Sequence, residues 1–380
     1  MNTDINIHYI VQWDKIKEKT WSGTCYSLFL ALSQYVNLKE VRLNDISIWK
    51  KVILRIFVGK DLCRYKILKN RKILTPFLDK SQEKIYCIQF TDIIQDTNLI
   101  KTFVYQDLGV SYLKKLFIAD PEMFKYSGFG NITMKNLLKR EIMEKNYFKL
   151  CTAIFTMGKW YRNFLVEECK VDSSKVFHVG GGINLNKYNI DYSKKEENKI
   201  LFVGRDFKRK GGELVYEAFS LLKKKHPELE LHIAGPSKSP IKNPISGCYF
   251  YGDCTREELS SLFNKCDIFC MPSYFEAYGL VFIEALTYGL PCIGRNAFEM
   301  SNFIQDGETG FLINDDNIED LSDKMYSLLK NQRIKKTVRD KKDYYIQEYS
   351  WNSVAKRMIK VITETQQLQN SKKYAKPNIE

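Results

Sequence analysis

Residue patterns that mark several common classes of protein are missing from this 380-residue chain. Its four histidines are dispersed and its ten cysteines form no C-x-x-C pair, so we expect neither a histidine-rich metal site nor structural zinc. No stretch of about 18 uncharged apolar residues occurs, and the N-terminus has no apolar signal core. We therefore expect a cytoplasmic protein with reduced thiols that is neither secreted nor membrane-spanning.

Common phosphate-binding and nucleic-acid-binding signatures are missing as well. The chain has no Walker A pattern and no G-x-G-x-x-G, which disfavours P-loop hydrolysis and a dinucleotide cofactor. It has no zinc-finger, RNA-recognition or helix-turn-helix signature, so we expect no nucleic-acid partner.

Positive charge, in contrast, is in excess. The chain has 59 basic and 45 acidic residues, a formal net charge of +14, which predicts an anionic partner. Two basic segments with interleaved apolar residues, Lys50–Lys72 and Lys135–Lys149, suit an anionic membrane surface. The alternative is a basic face that only serves solubility. A peripheral position on the cytoplasmic face of a membrane is thus one of two expectations for this surface.

The order of strand-like and helix-like segments predicts an α/β protein with two doubly wound, mostly parallel sheets. A polar stretch without apolar periodicity follows residue 185 and is interpreted as a linker over residues 186–198. The N-terminal domain then covers residues 1–185 and the C-terminal domain residues 199–350. Strands are expected at Ile5–Val11, Val52–Val58, Lys84–Phe90, Lys101–Tyr105, Ala153–Met157, Lys199–Val203, Leu229–Gly235, Cys248–Gly252 and Asp267–Met271. The last helices are expected at Ile318–Lys330, Arg333–Glu348 and Trp351–Leu368.

The most informative stretch lies after the strand that ends at residue 271. Glu284 is the only charged residue between Glu276 and Arg295, on a predicted helix that is apolar almost all round. A buried carboxylate needs hydrogen-bond donors. The two hydroxyls of a ribose would supply them, and the N–H groups of Gly279 and Leu280 at the helix start suit phosphate oxygens. The alternative is a structural glutamate held by a salt bridge.

Two further loops follow predicted strands. The loop from Gly204 to Gly212 carries Arg205 and Lys210 ahead of a helix, which suits a diphosphate leaving group, while Lys208 and Arg209 are expected to be solvated. In the N-terminal domain the same position is taken by Ser22, Gly23 and Thr24, where either a ligand or a helix cap is expected.

Other polar residues at strand ends should face the cleft, since ligands bind beyond the carboxyl ends of parallel strands. They are Gln106, Asp107, Gly158 and Lys159. Asp107 would orient an acceptor hydroxyl, although a turn or cap is an equally good interpretation. The aromatic Tyr251 lies near the end of the expected strand Cys248–Gly252, where a core position is as good an interpretation as a ligand contact.

The spacing of Glu276 and Glu284, with Gly279 and Leu280 between them, resembles the E-x7-E signature of retaining glycosyltransferases of family 4. The single glycine of the Thr20–Thr24 loop is similar to a bacterial polysaccharide-type branch. The resemblance implies the GT-B fold, in which two Rossmann-like domains face a central cleft and a C-terminal helix, here 351–368, crosses back to the N-terminal domain. It implies sugar transfer from a nucleotide-diphosphate sugar to a glycan or lipid-linked acceptor, with no cofactor and no obligatory metal.

The resemblance also implies roles for individual residues. Glu276 would contact the transferred sugar, Glu284 the ribose, and Arg205 and Lys210 the donor phosphates, and Asn302 replaces a glutamate that is usual in the family. The donor-binding set is Gly204, Arg205, Lys210, Tyr251, Glu276, Tyr278, Gly279, Leu280, Val281 and Glu284. The catalytic set is Glu276, Arg205, Lys210 and Asp107, and the acceptor side comprises Ser22, Gly23, Thr24 and Asp107.

Two other functions agree with the same pattern. A sugar-nucleotide epimerase or phosphorylase shares the fold, and the single-glycine loop and Asn302 allow a non-catalytic nucleotide-sugar binding protein.

Overall fold

A computed structural model describes residues 3–43, 49, 62–78, 84–193 and 198–374. The expected strand Val52–Val58 and the start of the basic segment Lys50–Lys72 lie outside these residues. The described part forms two parallel sheets of six strands each, one on either side of the predicted linker. Two doubly wound domains are therefore present, as the alternation of elements predicts.

The N-terminal sheet has the strand order β2-β1-β3-β4-β5-β6. Its strands are β1 Thr3–Val11, β2 Val36–Arg42, β3 Ile85–Gln89, β4 Ile100–Gln106, β5 Ala153–Thr156 and β6 Val176–His178. Every residue of β3 and β5 is buried, which is the pattern of a parallel sheet covered on both faces. Strand β2 lies at the edge with several exposed polar residues, and sequence analysis missed it for that reason.

Helices cover both faces of this sheet. They are α1 Thr24–Leu32, α2 Leu62–Leu78, α3 Val110–Ala119, α4 Pro121–Tyr126, α5 Met134–Leu150 and α6 Lys159–Asn163. Thr133 is the N-cap of helix α5, since its hydroxyl accepts the Asn136 N–H, and the helix contains the basic segment Lys135–Lys149. A 3-10 segment, Lys17–Gly23, joins β1 to α1.

The C-terminal sheet has the strand order β12-β11-β10-β7-β8-β9. Its strands are β7 Lys199–Val203, β8 Glu230–Ala234, β9 Cys248–Gly252, β10 Ile268–Cys270, β11 Cys292–Arg295 and β12 Gly310–Ile313. Its helices are α7 Gly212–Lys225, α8 Arg256–Lys265, α9 Leu280–Thr287, α10 Met300–Phe303, α11 Ile318–Lys330, α12 Gln332–Asp340 and α13 Lys342–Glu348. The single helix expected over Arg333–Glu348 is thus wrong: it breaks at Lys341, which adopts a non-helical conformation.

The last helix, α14 Trp351–Tyr374, leaves the C-terminal domain and packs on α1 of the N-terminal domain. The Trp351 indole donates to Asn184 Oδ1 at 2.9 Å, so the helix start is fixed to the domain junction. Among the helices that the structure describes, none is long and apolar enough to cross a membrane.

Candidate active site

The loops that follow β7 and β10 meet because these two strands are neighbours in the C-terminal sheet. Gly211, with φ +76°, allows the close approach, since a Cβ there would lie 2.4 Å from the Pro272 carbonyl oxygen. The contact brings Lys210 onto Glu276 in an ion pair whose side chains are only 12% and 13% exposed. Burial lowers the pKa of Lys210, and the negative charge of Glu276 opposes that shift. Two residues predicted from separate motifs are therefore partners.

A second cation joins this pair. Arg209 Nη1 donates to the Phe275 carbonyl oxygen at 2.5 Å and lies 3.7 Å from Glu276 Oε2. The expectation that Arg209 is solvated is wrong, because the loop turns its side chain inward toward the carboxylate. Arg205, in contrast, has a 76% exposed side chain and lies 3.6 Å from Asp253. The structure brings Lys210 and Glu276 together but leaves Arg205 at the rim.

Helix α9 carries the second glutamate into the interior. Gly279, in the left-handed conformation at φ +94°, precedes Leu280, where the helix begins. Glu284 is 8% exposed, and burial raises its pKa to about 7. Its Oε1 accepts the backbone N–H of Asn184 at 3.2 Å, and the charge of Arg256 favours the ionised form. Among the described residues, no salt bridge involves Glu284. The alternative interpretation, a structural glutamate held by a salt bridge, is therefore not supported.

The N-terminal loop contacts the hydrogen-bond partner of this glutamate. Asn184, the partner of Glu284, donates from its side chain to the Ser22 carbonyl oxygen at 2.8 Å. Trp21, Ser22 and Gly23 all have positive φ, a conformation that costs non-glycine residues free energy and that concentrates at functional sites. Neither Ser22 nor Thr24 caps α1 through a side chain; Gly23 is the N-cap residue.

Asp107 lies on the other side of the cleft, at the carboxyl end of β4. It lines a cavity of about 740 Å³ in the N-terminal domain. Burial raises the pKa of Asp107 to about 7, and the negative charge of Glu276 adds to the shift, whereas a hydrogen bond from the Trp21 side chain opposes it.

Contacts between the domains involve a residue that sequence analysis missed. Glu299, 2% exposed, accepts the Trp160 backbone N–H at 3.1 Å and the Asn302 side-chain amide at 3.2 Å. Burial raises its pKa to about 7. The Trp160 indole donates to the Ala277 carbonyl oxygen at 2.6 Å, next to Glu276. In the sequence, Glu299 lies between the apolar residues Phe298 and Met300. A single acidic residue with apolar neighbours is the same signal that identified Glu284.

Other predicted residues have clear positions. The Tyr278 hydroxyl accepts the Gly181 N–H at 2.9 Å, so Tyr278 joins the domains from the middle of the motif. Tyr251, on the edge strand β9, bonds His232 Nδ1 through its hydroxyl at 2.8 Å, and no described contact ties it to the glutamates. Gly204 packs against the Lys210 side chain, and Val281 lies half-buried on α9.

The second domain has a recognisable sequence family. Residues 187–342 match the family described as glycosyl transferases group 1. An uncharacterized glycosyltransferase of Methanocaldococcus jannaschii is 25% identical over 266 residues, which cover 67% of this chain and 72% of that protein. The C-terminal domain of this chain is thus similar in sequence to the group 1 glycosyl transferases.

Solved structures show that this chain has the GT-B fold. Sucrose-phosphate synthase from Thermosynechococcus elongatus superposes with a TM-score of 0.67 and 14% identity, over 95% of this chain and 99% of that one. Anabaena HepE, solved with UDP and glucose, superposes with a TM-score of 0.65 and 12% identity, over 95% of this chain and 100% of that one. At these identities the likeness shows a shared fold.

The raised pKa of Glu284 predicts a gain in stability when its charge is removed. Since the folded-state pKa is about 7 and the ordinary value 4.5, ionisation costs stability as pH rises through this interval, and the cost is complete above pH 7. We expect Glu284→Gln to raise the free energy of unfolding at pH 8 by about 2 kcal/mol more than at pH 5. Urea unfolding at both pH values measures this.

Glu141 is the matched control for that variant. Its burial is outweighed by hydrogen bonds from Lys114 and Lys145, which lower its pKa. Glu141→Gln should therefore destabilise the protein at pH 8. A loss of stability in Glu284→Gln at pH 8 would contradict the assignment of a buried, uncompensated carboxylate.

The indole of Trp160 is expected to hold the loop that precedes α9, residues 276–280, from across the cleft. Replacing it by Phe keeps an aromatic ring but removes the hydrogen bond to Ala277, worth about 1 kcal/mol. Amide hydrogen exchange in residues 276–280 should then become about fivefold faster. Trp13→Phe, which loses an indole hydrogen bond to Glu40, is the control and should leave this segment unchanged. Equal exchange in both variants would show that Trp160 does not position the loop.

Proposed function

We propose that this protein is a glycosyltransferase that moves a sugar from a nucleotide-diphosphate sugar to a glycan or lipid-linked acceptor, with retention of anomeric configuration and no obligatory metal. The main support for the proposal is the arrangement of polar groups along the C-terminal side of the cleft, here called the donor wall. Lys210 and Glu276 form a buried pair, the first turn of α9 follows, and Glu284 lies one helical turn further in.

Each part of this wall suits one part of such a donor. Backbone N–H groups at the start of α9 and the cation of Lys210 suit the diphosphate. The carboxylate of Glu284, short of donors in its buried position, suits the ribose hydroxyls. Glu276 then lies beside the phosphates, where sugar hydroxyls would reach it. HepE, a structure of the same fold, was solved with UDP and glucose, which supports a donor of this class.

The chemistry we propose depends on electrostatics. Lys210, with Arg209 beside it, would offset the negative charge that develops on the leaving diphosphate, a role that a divalent ion can also fill. In retaining enzymes that this motif resembles, the acceptor attacks from the leaving-group side and the donor phosphate takes its proton. Glu276 is held by Lys210 and Arg209, which favours binding of sugar hydroxyls over attack at the anomeric carbon.

Closure of the cleft would protect the donor from water. Trp160, Gly181 and Asn184 of the N-terminal domain donate hydrogen bonds to the donor wall. Such contacts exclude solvent from the reacting groups and limit hydrolysis.

A panel of nucleotide sugars, screened by thermal shift and then by transfer, tests the proposal. We expect one donor to stabilise the protein and to give a product with retained configuration by NMR, in the presence of EDTA. Lys210→Ala should reduce kcat by about 10²–10³-fold, as for loss of one group that stabilises developing charge. Lys208→Ala, two residues earlier and exposed, should keep the wild-type kcat.

Other outcomes would replace this proposal. Isomerisation of the donor would indicate an epimerase, release of a sugar phosphate a phosphorylase, and binding without turnover a non-catalytic protein. Inverted configuration, or loss of activity in EDTA, would overturn the corresponding part of the mechanism.

We also propose that the N-terminal domain contacts an anionic membrane surface. The outer side of α5 exposes Leu138 and Ile142, which are 45% and 60% accessible, between the exposed Lys135, Lys139 and Lys149. Apolar side chains flanked by lysines on one helix face suit the headgroup region of an anionic bilayer. The net charge of +14 favours the same partner.

Vesicle sedimentation tests this surface. The protein should bind phosphatidylglycerol vesicles and not phosphatidylcholine vesicles, and the bound fraction should fall at high salt. Leu138→Ser/Ile142→Ser should lower it severalfold. Leu30→Ser removes a leucine of equal exposure, 45%, from α1 and should have no effect. Equal loss in both variants would contradict a role for α5.

A further inference from the structure

Two helices of the N-terminal domain begin after a glycine, and a distant glutamate supplies the cap that the glycine cannot. Helix α3 follows Gly109, and Glu144 of α5 accepts the N–H groups of the first two helical residues at 2.7 and 2.9 Å. Helix α6 follows Gly158, and there the glutamate is Glu299, which belongs to the C-terminal domain. The same arrangement thus occurs once within a domain and once between the two domains.

The contact of Glu299 with α6 is close and shielded from water. Glu299 Oε2 accepts the Trp160 N–H at 3.1 Å, and a Cβ on Gly158 would lie 2.7 Å from the same oxygen. Glu299 is 2% exposed, so removal of its carboxylate would leave the Trp160 N–H short of an acceptor in a dry place. Asn302 donates to the carboxylate at 3.2 Å and holds it from the side of its own domain.

The helix start that Glu299 caps carries the side chain that returns the contact. Trp160 is the second residue of α6, and its indole donates to the Ala277 carbonyl oxygen at 2.6 Å. Ala277 directly follows Glu276 in the chain. Because the backbone and the indole belong to one residue, a shift of the helix start would also move the indole away from the loop.

Aromatic rings pack around these hydrogen bonds. The Phe298 ring lies 5.2 Å from the rings of Trp160 and of Phe275, the residue before Glu276. Phe298 has φ +54°, a left-handed conformation that is unfavourable for a residue with a side chain. Strain of this kind persists where the surrounding structure requires it, and here both Phe298 and its neighbour Glu299 contact Trp160.

We infer that Glu299 is a positioning residue for Glu276. It fixes the start of α6, and Trp160 then holds the loop that carries Glu276 from across the cleft. The inference rests on the proposed function, since it concerns the residue proposed to bind the transferred sugar. It goes beyond that function because it makes the position of Glu276 depend on the N-terminal domain, whereas the ion pair with Lys210 lies wholly within the C-terminal domain.

The indole N–H of Trp160 gives a readout that needs no substrate. In the full chain labelled with ¹⁵N-tryptophan, NMR resolves the indole N–H signals, and the signal lost in Trp160→Phe identifies that of Trp160. We expect Glu299→Ala to make hydrogen exchange of this indole about fivefold faster, as for loss of a hydrogen bond of ordinary strength. The Trp13 indole, which donates to Glu40 at 2.7 Å, is the internal control and should exchange as in wild type.

Three further variants separate positioning from general stability. Glu299→Gln keeps an acceptor oxygen at the same place and should keep the wild-type exchange rate of the Trp160 indole. Asn302→Asp keeps its shape but places a like charge beside Glu299, so it should speed the exchange in the same direction as Glu299→Ala. Glu141→Ala removes a carboxylate of similar burial, 6% exposed, and should lower the unfolding temperature without changing the Trp160 indole.

Transfer kinetics extend the test. Glu299→Ala should lower kcat about tenfold, because small displacements of a positioned group are costly, and Glu299→Gln should keep the wild-type kcat. The thermal shift with the nucleotide sugar should remain, since Lys210 and Glu284 are unchanged.

Three results would overturn the inference. They are an unchanged Trp160 indole in both Glu299→Ala and Asn302→Asp, equal acceleration in Glu299→Ala and Glu141→Ala, and a wild-type kcat in Glu299→Ala. Failure of the proposed function would show differently, as the absence of any thermal shift or transfer with nucleotide sugars, and the result for the indole would stand apart from it.

Discussion

Three hydrogen bonds across the cleft have their donors in the N-terminal domain and their acceptors in the C-terminal domain. The Asn184 N–H meets Glu284, the Gly181 N–H meets Tyr278, and the Trp160 N–H meets Glu299. All three acceptors lie between β10 and α10. A buried carboxylate without donors is costly, so the C-terminal domain alone would leave these oxygens to be satisfied by water or by ligand. In the structure, donors from the N-terminal domain satisfy them instead.

Burial of carboxyl groups at this junction lowers the stability of the folded protein. Asp107, Glu284 and Glu299 each have a pKa raised to about 7, so each is ionised at a free-energy cost when the pH is above neutrality. Trp21 and Ser22 add backbone strain on the facing loop. Such unfavourable features persist where function requires them, and their concentration on the two sides of one cleft agrees with a site that recovers free energy on binding.

Sequence patterns predicted the strand, loop and helix that carry Glu276 and Glu284 better than the contacts that their side chains make. The strand, loop and helix around Glu284 follow from apolar runs and glycines, because both signals are local. The inward position of Arg209 does not follow from such signals. Neighbouring basic residues of one loop look alike in the sequence, and only the folded loop determines which side chain points inward. Glu299 was missed because it belongs to a short irregular segment, and its partner Trp160 lies 139 residues earlier. The cavity is assembled from the ends of three strands and two helices, which no single stretch of sequence encodes.

Helices α2 and α5 each have two sides with different surroundings. Their inner sides place Lys66 and Arg140 at the cavity beside Asp107, and their outer sides expose Leu68 and Leu138, 46% and 45% accessible. On α5, Arg140 and Leu138 are two positions apart, which directs them to different sides of one helix. The membrane contact proposed for α5 therefore involves side chains other than those that line the cavity.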